Sequence, residues 1–331
     1  MNMAAVIHEK GPPENFRWEA HDAGAPGRGE VRIRHTAIGV NYADTYHRGG
    51  IPHPWPVSDP PVVVGFEAVG VVDALGRNVS DFTIGDAVAY GMPPLGAYSQ
   101  YRCYPADMLI KVHEGIDHVA LAGMLMKGMT AHYLLHRTFK VGPDSVVLVH
   151  AAAGGMGHVL CPWAKRLGAV VIGTVSGKRK AAIARELGCD HVIDYTREDF
   201  AARCRELTHG EGVDVVYESI GKATMAKSLD SLRPMGMCAA YGHASGPPDP
   251  VDVIEDLGAR GSLFITRPAI MHYLAKREDM LASAHALLKV IDEGVVKSQV
   301  NHVYPLREAA EAHRAIQDRK TTGSTVLLPF D

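Results

Sequence analysis

The run AAAGGMG at residues 151–157 is the feature that most constrains how this chain folds. It follows an apolar stretch at 145–150 and precedes a segment whose apolar residues recur at helical spacing until Gly168. A strand, a glycine turn and a helix in this order suit a dinucleotide. The turn lets the backbone approach the pyrophosphate, and the helix N-terminus faces its negative charge. The alternative is a glycine-rich turn that binds nothing.

The spacing of the glycines fits the frame G-x-G-x-x-G, in which Ala152 takes the first place. Gly154 and Gly157 take the second and third places. The pattern therefore predicts that the pyrophosphate of a cofactor lies on the backbone of Gly154, Gly155, Met156 and Gly157.

The rest of the chain predicts two lobes, since 331 residues exceed what one small core accommodates. In the first third, short β-like runs alternate with glycine and proline, at 31–38, 62–72 and 86–90. A helix is predicted at 119–136. Strands then alternate with helical segments, which predicts a doubly wound, parallel α/β sheet. The predicted strands are 146–149, 170–174, 191–194, 213–217, 237–241 and 263–266.

Helices at 271–293 and 306–319 and a strand-like tail at 324–328 follow this sheet. We expect the tail to return to the first lobe, so that the cofactor-binding lobe is inserted into a mostly β domain. The predicted boundaries are 1–123 for the first part of the β domain, 124–266 for the Rossmann-type lobe and 267–331 for the C-terminal part of the β domain.

Composition and charge narrow the classes of partner. The chain is 47% hydrophobic and 21% charged, as in globular proteins, and its formal net charge is −3. This balance argues against nucleic acid, which binds a positive surface. No apolar run approaches the roughly 18 residues of a membrane helix. The five cysteines are scattered without a C-x-x-C pair, so the sequence predicts a cytoplasmic protein with neither a disulfide framework nor a structural zinc.

The end of the second predicted strand distinguishes NADPH from NADH. An NAD-binding lobe places an acidic residue there, about 20 residues past the glycines, to bind the ribose 2′-hydroxyl. This chain has Ser176 at that point, followed by Lys178, Arg179 and Lys180. A hydroxyl and cations bind a 2′-phosphate through charge-assisted hydrogen bonds, whereas an acid would repel it. We therefore expect NADPH, held by Ser176 and Lys180; the alternative is a solvated basic helix start.

Two further groups of residues follow predicted strands at the carboxyl edge of the sheet, where doubly wound folds bind their ligands. Tyr241, Gly242 and Ser245 follow the fifth strand, and Thr266 and Arg267 follow the sixth. We expect these residues to contact the cofactor. Ordinary loop positions are the alternative reading.

Eight motifs together resemble one known family. They are AIGVNYADTYHRGG at 37–50, GFEAVGVV at 65–72, GDAVAY at 85–90, GAYSQY at 96–101, MKGMTAHYLL at 126–135, HAAAGGMG at 150–157, GSLFITRP at 261–268 and GSTVLL at 323–328. They resemble the zinc-free, zeta-crystallin-like quinone oxidoreductases of the medium-chain dehydrogenase/reductase superfamily. The resemblance covers essentially the whole chain and implies a GroES-like catalytic domain that carries the NADPH-binding lobe as an insertion.

The resemblance implies roles for residues near the start of the chain. Asn41 and Tyr46 would border the nicotinamide and the substrate, and Tyr46 could donate a hydrogen bond to the reduced oxygen. Asp44 would fix the loop as a capping acid. A turn residue and a core tyrosine are the alternatives for Asn41 and Tyr46.

The resemblance also places residues around the cofactor. Lys127 and Thr130 would lie at its nicotinamide end, Tyr195 near its 2′-phosphate, and Arg319 beside it. The family commonly forms homodimers through the edge of the cofactor-binding sheet, and GSLFIT at 261–266 is the candidate edge strand.

The chain lacks the zinc ligands of related alcohol dehydrogenases, which hold a catalytic zinc with Cys, His and Cys. Asn41 and Phe66 stand at the first two of these positions, although Glu67 is retained. No cysteine lies between Cys103 and Cys161, where the third ligand would stand. We therefore expect no catalytic metal.

Two other departures concern the cofactor helix and the substrate pocket. Pro162 replaces a glutamine that the family has in the helix after the glycines, and a kink or a displaced second turn is expected there. The family often has an aromatic residue just after the turn at 48–50, whereas this chain has Ile-Pro-His-Pro-Trp at 51–55.

Together, these features predict an NADPH-dependent oxidoreductase that passes reducing equivalents to a small-molecule quinone without a metal. A quinone is a strong electrophile, so it needs little beyond a hydride or electron donor, an apolar slot and one hydrogen-bond donor. An NADPH-dependent enone or 2-alkenal reductase of the same superfamily is the alternative, with Tyr46 as proton donor. A non-catalytic NADPH-binding protein with a structural or RNA-associated role is the alternative from another class.

Overall fold

The computed structural model describes residues 2–52, 59–113 and 115–330. The chain forms two compact units. The first comprises Met1–Lys127, Leu274–Ala284 and Ser298–Asp331, and the second comprises Gly128–Tyr273 and His285–Lys297. Along the chain, the second unit interrupts the first. The predicted domain boundaries after residues 123 and 266 stay a prediction.

The described residues form strands and helices in nearly the predicted order. The strands are β1 (Met3–Ile7), β2 (Phe16–Ala20), β3 (Glu30–Val40), β4 (Val62–Val63), β5 (Glu67–Leu75), β6 (Ala87–Gly91), β7 (Tyr101–Pro105), β8 (Ile110–Lys111), β9 (Val146–Val149), β10 (Val170–Val175), β11 (His191–Asp194), β12 (Val213–Glu218), β13 (Leu232–Ala240), β14 (Phe264–Thr266), β15 (Val300–Pro305) and β16 (Ser324–Leu328). The helices are α1 (Tyr42–Gly49), α2 (His118–Ala122), α3 (Leu125–Tyr133), α4 (Gly157–Arg166), α5 (Gly177–Glu186), α6 (Phe200–Leu207), α7 (Met225–Asp230), α8 (Ile270–Tyr273), α9 (Arg277–Asp292) and α10 (Ala309–Gln317). Short 3₁₀ turns lie at Pro13–Asn15, Ala106–Met108 and Leu306–Glu308, and π-helical turns at Leu134–Thr138 and Val253–Gly258.

The first unit contains two mostly antiparallel sheets. A small sheet has the strand order β2-β1-β4, and a larger one has the order β15-β16-β3-β5-β6-β8. The long strand β3 organises the larger sheet, since β5 runs along one side of it while β7 and β16 share the other. Apolar side chains of both sheets and of α10 form one core, which includes Ile7, Ile33, Tyr104, Ala312 and Leu327.

The C-terminal strand lies in the first unit. Strand β16 runs antiparallel to β3, with Thr325 opposite Val40, and parallel to β15. The predicted return of the tail to the first lobe is therefore confirmed.

The second unit is built on a parallel sheet of order β11-β10-β9-β12-β13-β14. This is the order 3-2-1-4-5-6 of the Rossmann fold, so the predicted fold class is confirmed. The direction of strand order reverses between β9 and β12, and this switch point is where such sheets bind ligands. Strand β9, with the sequence VVLV, is almost wholly buried, as expected of a central strand in a parallel sheet.

Several predicted elements are divided in the structure. The predicted helix at 119–136 is α2 and α3, with Gly123 between them. A Cβ atom on Gly123 would lie 2.8 Å from Cγ2 of Val300, so the chain passes too close to β15 for a larger residue. The predicted helix at 271–293 is α8 and α9, and the predicted strand at 62–72 is β4 and β5.

Helix α4 contains Pro162 and is nevertheless continuous from Gly157 to Arg166. Its first turn is intact, as predicted, because the amide of Leu160 donates to the carbonyl of Met156 at 2.8 Å. Its second turn remains helical, so the proline does not displace it. Proline has no N–H, so the missing backbone hydrogen bond is the one to the carbonyl of His158.

Candidate functional site

The glycine turn of the second unit joins β9 to α4. Ala151 adopts a φ of +52°, which lets the chain turn sharply after the strand. The amide of Ala152 then donates to the carbonyl of Thr174 in β10 at 3.1 Å. A Cβ on Gly157 would lie 2.0 Å from the carbonyl oxygen of Ala152, so only glycine lets the helix begin this close to the turn.

The middle of the turn is less crowded. A Cβ on Gly154 would meet the carbonyl oxygen of Ala151 at 3.1 Å and little else. Gly155 and Met156 are half-buried, and the amide of Gly154 donates to the carbonyl of Ala151 at 2.8 Å. A dinucleotide pyrophosphate fits this arrangement, because the space beside Gly154 is open and α4 begins three residues further on, at Gly157.

The predicted 2′-phosphate site lies at the end of β10. Ser176 precedes the first residue of α5, and its side chain makes no capping hydrogen bond to the helix. Lys178 and Arg179 are exposed in the first turn, and Lys180 is half-buried. The amide of Tyr195 donates to the carbonyl of Val175 at 3.1 Å, which brings that tyrosine to the same strand end. These groups form a cationic, hydroxyl-bearing surface that suits a phosphate.

A cavity of about 330 Å³ adjoins this surface, a feature that sequence reasoning missed. It is lined by Lys178, Ala181, Arg185, Val192, Asp194, Arg197 and Glu198. Both acidic side chains, Asp194 and Glu198, accept hydrogen bonds from residues of their own loop. Asp194 accepts hydrogen bonds from Thr196, which lower its pKa, and Glu198 accepts from the amide of Asp194 at 3.2 Å.

The loop after β13 carries three predicted residues. The amide of Gly242 donates to the carbonyl of Glu218 at 3.3 Å, and the hydroxyl of Ser245 donates to the carbonyl of Ile220 at 2.7 Å. Ser245 also accepts from the amide of Ala223 at 3.0 Å, so its hydroxyl fixes the two loops to each other. The hydroxyl of Tyr241 is buried beside Ser219.

Three other predicted residues lie elsewhere in the second unit. Thr266 ends β14, and the guanidinium of Arg267 donates to the carbonyl of Pro268 at 3.0 Å. Thr130 is buried in α3, and its hydroxyl bonds to that of Tyr133.

In the first unit, Asn41 and Lys127 meet at a carboxylate that sequence reasoning did not assign. The amide Nδ2 of Asn41 donates to Oε2 of Glu67 at 2.6 Å, and Nζ of Lys127 lies 4.0 Å from the same oxygen. The backbone amide of Met126 donates to Oε1 at 2.7 Å. Burial raises the pKa of Glu67, while Lys127 and these hydrogen bonds act in the opposite direction. The carboxylate thus orients both side chains.

Asp44 caps the helix that begins after Asn41. Its Oδ2 accepts from the backbone amide of Asn41 at 2.8 Å and from the hydroxyl of Tyr98 at 3.0 Å. The side chain of Asn41 bonds in return to the backbone of Asp44, which completes a capping box. The predicted capping role is therefore confirmed. Burial raises the pKa of Asp44 to about 7.

The remaining predicted residues of the first unit lie near the same helix. Tyr46 is buried in α1, with its ring 5.4 Å from that of Tyr42. Arg319 follows α10. Burial raises the pKa of Tyr42, and the charge of Arg319 offsets part of that increase. In the predicted pocket segment 51–55, residues 53–55 lie outside the described residues.

The zinc positions of the related alcohol dehydrogenases hold side chains of other chemistry. The amide of Asn41 donates to Glu67, and the ring of Phe66 packs 4.9 Å from that of His47. Phenylalanine cannot bind a metal. Within residues 2–52, 59–113 and 115–330, no three His, Cys, Asp or Glu side chains cluster so as to hold an ion. None of the helices in this part of the chain has the length and apolarity to cross a bilayer.

Comparison with known proteins identifies the family. Residues 27–114 match the family described as alcohol dehydrogenase GroES-like domain, and residues 155–284 match the family described as zinc-binding dehydrogenase. Over 319 residues the chain is 42% identical to a quinone oxidoreductase of Pseudomonas aeruginosa, covering 96% of this chain and 97% of that protein. The chain belongs to the zinc-free quinone oxidoreductases of the medium-chain dehydrogenase/reductase superfamily.

Two other similar proteins bear on the cofactor and on the acceptor of this quinone oxidoreductase family member. The crystal structure of Escherichia coli quinone oxidoreductase complexed with NADPH has a TM-score of 0.95 at 37% identity, over 99% of this chain and 100% of that one. A Burkholderia protein named 2-haloacrylate reductase is 60% identical over 331 residues, 99% of each chain. The chain is an oxidoreductase, and its cofactor is NADPH.

Proposed function

We propose that this oxidoreductase reduces an electron-poor conjugated acceptor, first an activated alkene of the 2-haloacrylate or enone type and second a quinone. The observation that supports this is the side-chain set at the zinc positions, where Phe66 cannot bind a metal and Asn41 is bound to Glu67. Without a Lewis acid, the acceptor must be electrophilic by its own conjugation. The alkene comes first because the relative named 2-haloacrylate reductase shares 60% of its residues, against 42% for the quinone oxidoreductase.

The residues have distinct roles in the proposed reaction. Bound NADPH supplies the hydride. Gly154, Gly157 and the basic turn at 176–180 bind its phosphates, and Asn41, held by Glu67, borders the ring end. The hydroxyl of Tyr46 donates the proton that completes reduction. For an alkene, the hydride adds to the β carbon and the proton to the α carbon, which yields the saturated product.

Tyr46→Phe tests this assignment, with Tyr42→Phe as its matched control. Carbon takes up a proton slowly from bulk water, so Tyr46→Phe should lower kcat on 2-chloroacrylate or methyl vinyl ketone by about a hundredfold. Reduction of 1,4-naphthoquinone, whose oxygens exchange protons readily with water, should change less than about threefold. Tyr42→Phe should leave both activities near wild type.

Anaerobic oxidation of NADPH by a panel of alkenes and quinones decides between the two acceptors. Faster turnover of quinones than of any alkene would make the quinone the substrate class. Turnover of neither class would contradict the proposal.

Membership of this family also supports a homodimer that forms through β14. This strand ends the sheet of the second unit, and Phe264 on it is 57% exposed. An unpaired strand edge offers backbone donors and acceptors to a second copy. Sedimentation should show a dimer that Phe264→Lys weakens, and a wild-type monomer would exclude it. A cytoplasmic location stays a prediction.

A further inference from the structure

A chain of buried polar side chains crosses the switch point of the second unit. His150 follows β9, Thr174 lies in β10, Glu218 ends β12 and Ser228 lies in α7. Nδ1 of His150 lies 2.8 Å from Oγ1 of Thr174, and its Nε2 lies 2.9 Å from Oγ of Ser228. Oγ of Ser228 lies 2.5 Å from Oε2 of Glu218. All four residues are at most 2% exposed.

The direction of each hydrogen bond in this chain can be assigned. A carboxylate only accepts, so Ser228 donates its hydrogen to Glu218 and must accept from Nε2–H of His150. Burial lowers the pKa of His150 although Glu218 acts in the opposite direction, so the ring is neutral. Its Nδ1 then accepts from the hydroxyl of Thr174. The chain therefore runs from Thr174 through His150 and Ser228 to Glu218, with the proton of the imidazole on Nε2.

The residue types match those of a hydrolytic triad, but the arrangement does not. In such a triad the imidazole lies between the serine and the acid and removes the serine proton. Here the serine lies between the imidazole and the acid and is closed off from solvent. These residues therefore do not form a nucleophile.

The residues at both ends of this series connect to loops that carry predicted cofactor-binding residues, namely the glycine turn at one end and, through the loop at 219–221, Ser245 at the other. The carbonyl of Thr174 accepts from the amide of Ala152, the first position of the glycine turn. At the other end, Oε1 of Glu218 accepts from the amides of Ile220 and Gly221 at 2.6 and 3.0 Å. The carbonyl of Ile220 in turn accepts from the amide and hydroxyl of Ser245.

We infer that His150, Ser228 and Glu218 are positioning residues that hold the glycine turn at a fixed distance from the loop at 242–246. In the proposed binding mode, NADPH would contact both loops, with its pyrophosphate on the glycine turn, whereas its 2′-phosphate would lie at the basic turn that begins α5. The inference depends on the NADPH cradle and not on the choice of acceptor.

His150→Phe tests the inference by binding rather than by turnover. The phenyl ring fills the space of the imidazole but makes neither hydrogen bond. Calorimetry should show an NADPH Kd raised about tenfold, which corresponds to about 1.4 kcal/mol. Adenosine 2′-monophosphate, which carries the 2′-phosphate but no part of the pyrophosphate, should bind within about twofold of wild type. Equal weakening of both ligands, or of neither, would overturn the inference.

Ser228→Ala and Ser231→Ala form a matched pair in case His150→Phe does not fold. Both serines are fully buried near the C-terminal end of α7, but the hydroxyl of Ser231 donates to the carbonyl of Lys227. Nε2 of His150 already lies 3.4 Å from Glu218, so Ser228→Ala should weaken NADPH only about threefold. Ser231→Ala should leave NADPH affinity unchanged, and an equal loss in both variants would contradict the positioning role.

Glu218→Gln gives a spectroscopic test of the assigned directions. The glutamine oxygen still accepts from Ile220 and Gly221, but its NH₂ now donates to Ser228. The donor and acceptor roles then reverse in every hydrogen bond from residue 218 to Thr174, so the imidazole proton of His150 should move from Nε2 to Nδ1. Nitrogen-15 NMR of the ring distinguishes the two tautomers. A wild-type ring protonated on Nδ1 would overturn the assignment.

These readouts separate the inference from the proposed function. If His150→Phe weakens NADPH as expected while no alkene or quinone is reduced, the positioning role stands and the acceptor proposal fails. If acceptors are reduced while NADPH affinity is unchanged in that variant, the positioning role fails alone.

Discussion

The buried carboxyl group of Asp44 makes the stability of the fold depend on pH. Burial raises its pKa from 3.8 to about 7 in the folded protein. The folded chain therefore keeps a proton that the unfolded chain has lost at intermediate pH. The contribution of Asp44 to stability is fully present below about pH 4 and is lost as the pH rises through about 7.

We predict that Asp44→Asn removes this dependence. Asparagine keeps an oxygen that accepts from Asn41 and Tyr98, but it does not ionise. Wild type therefore loses stability between about pH 4.5 and pH 7.5, and the variant does not lose this part. The unfolding free energy of the variant minus that of wild type should be at least about 1 kcal/mol larger at about pH 7.5 than at about pH 4.5. Urea unfolding at both pH values measures it. A difference that is the same at both would contradict the prediction.

Lys180 carries the prediction of cofactor preference. Removing one cation from a phosphate costs a charge-assisted hydrogen bond, so Lys180→Ala should weaken NADPH at least about tenfold. NADH lacks the 2′-phosphate and should bind nearly as before. Fluorescence titration with both nucleotides measures the two constants, and equal losses would show that Lys180 does not contact the 2′-phosphate.

The sequence identified Asn41 and Lys127 as separate candidates but assigned no role to Glu67. Both contacts to this carboxylate join residues far apart in the chain, at 26 and 60 positions from Glu67 (67 − 41 and 127 − 67). No local spacing carries such information. Asp44 could be assigned as a capping acid, because a capping box lies within four consecutive residues.

At the scale of elements, the two glycines of the cofactor turn should respond differently to alanine. A Cβ on Gly157 collides with the carbonyl of Ala152 at 2.0 Å, whereas a Cβ on Gly154 meets Ala151 at 3.1 Å. Gly154→Ala should therefore keep its melting temperature within about 2 °C of wild type, and Gly157→Ala should lose several degrees.

Both variants should lose NADPH affinity by at least about tenfold, for separate reasons. In Gly154→Ala the methyl group occupies the space of the pyrophosphate, and in Gly157→Ala the start of α4 moves. Scanning calorimetry with and without NADPH measures both effects. Wild-type affinity in Gly154→Ala would show that the pyrophosphate lies elsewhere.

Strands and helices of the second unit could be placed from the sequence within a few residues, because a buried parallel strand reads as a short apolar run. Val146–Val149 and His191–Asp194 were predicted with their observed bounds. The break between α2 and α3 could not be predicted. A Cβ on Gly123 would lie 2.8 Å from Val300, a residue 177 positions away (300 − 123), and no local pattern specifies so close an approach.

At the scale of the whole molecule, buried neutral histidines should make the fold sensitive to acid. Burial lowers the pKa of His35 and of His313 from 6.5 to about 3. Below about pH 6.5 these two histidines bind protons in the unfolded chain but stay neutral in the folded chain. This contribution to stability is present above about pH 6.5 and is lost as the pH falls towards 3.

We predict that the melting temperature falls between about pH 7 and pH 5 and that it falls less in His313→Gln. Glutamine keeps a polar contact with the hydroxyl of Tyr98 but cannot take up a proton. Scanning calorimetry of both proteins at the two pH values measures the slopes. Identical slopes would show that His313 titrates alike in the folded and unfolded states.

The parallel, doubly wound arrangement of the six strands was predicted from their alternation with helices, but their order within the sheet was not. The order of strands around β3 did not follow from the sequence. Strands β7 and β16 share one side of β3, and nothing in the local pattern of either strand specifies that neighbour. The glycine turn predicts a cofactor site, but no sequence pattern predicted the buried, hydrogen-bonded series of side chains around His150.

The position of β16 has a consequence for biosynthesis. A ribosome makes β3 early and the residues of β16 some 290 positions later (Ser324 against Glu30 to Val40), so the end of β3 at 38–40 lacks its β16 partner until residues 325–327 have been made. The unit around the glycine turn needs nothing beyond Lys297. Domains that emerge first usually fold first, but here the middle of the polypeptide is complete before its beginning.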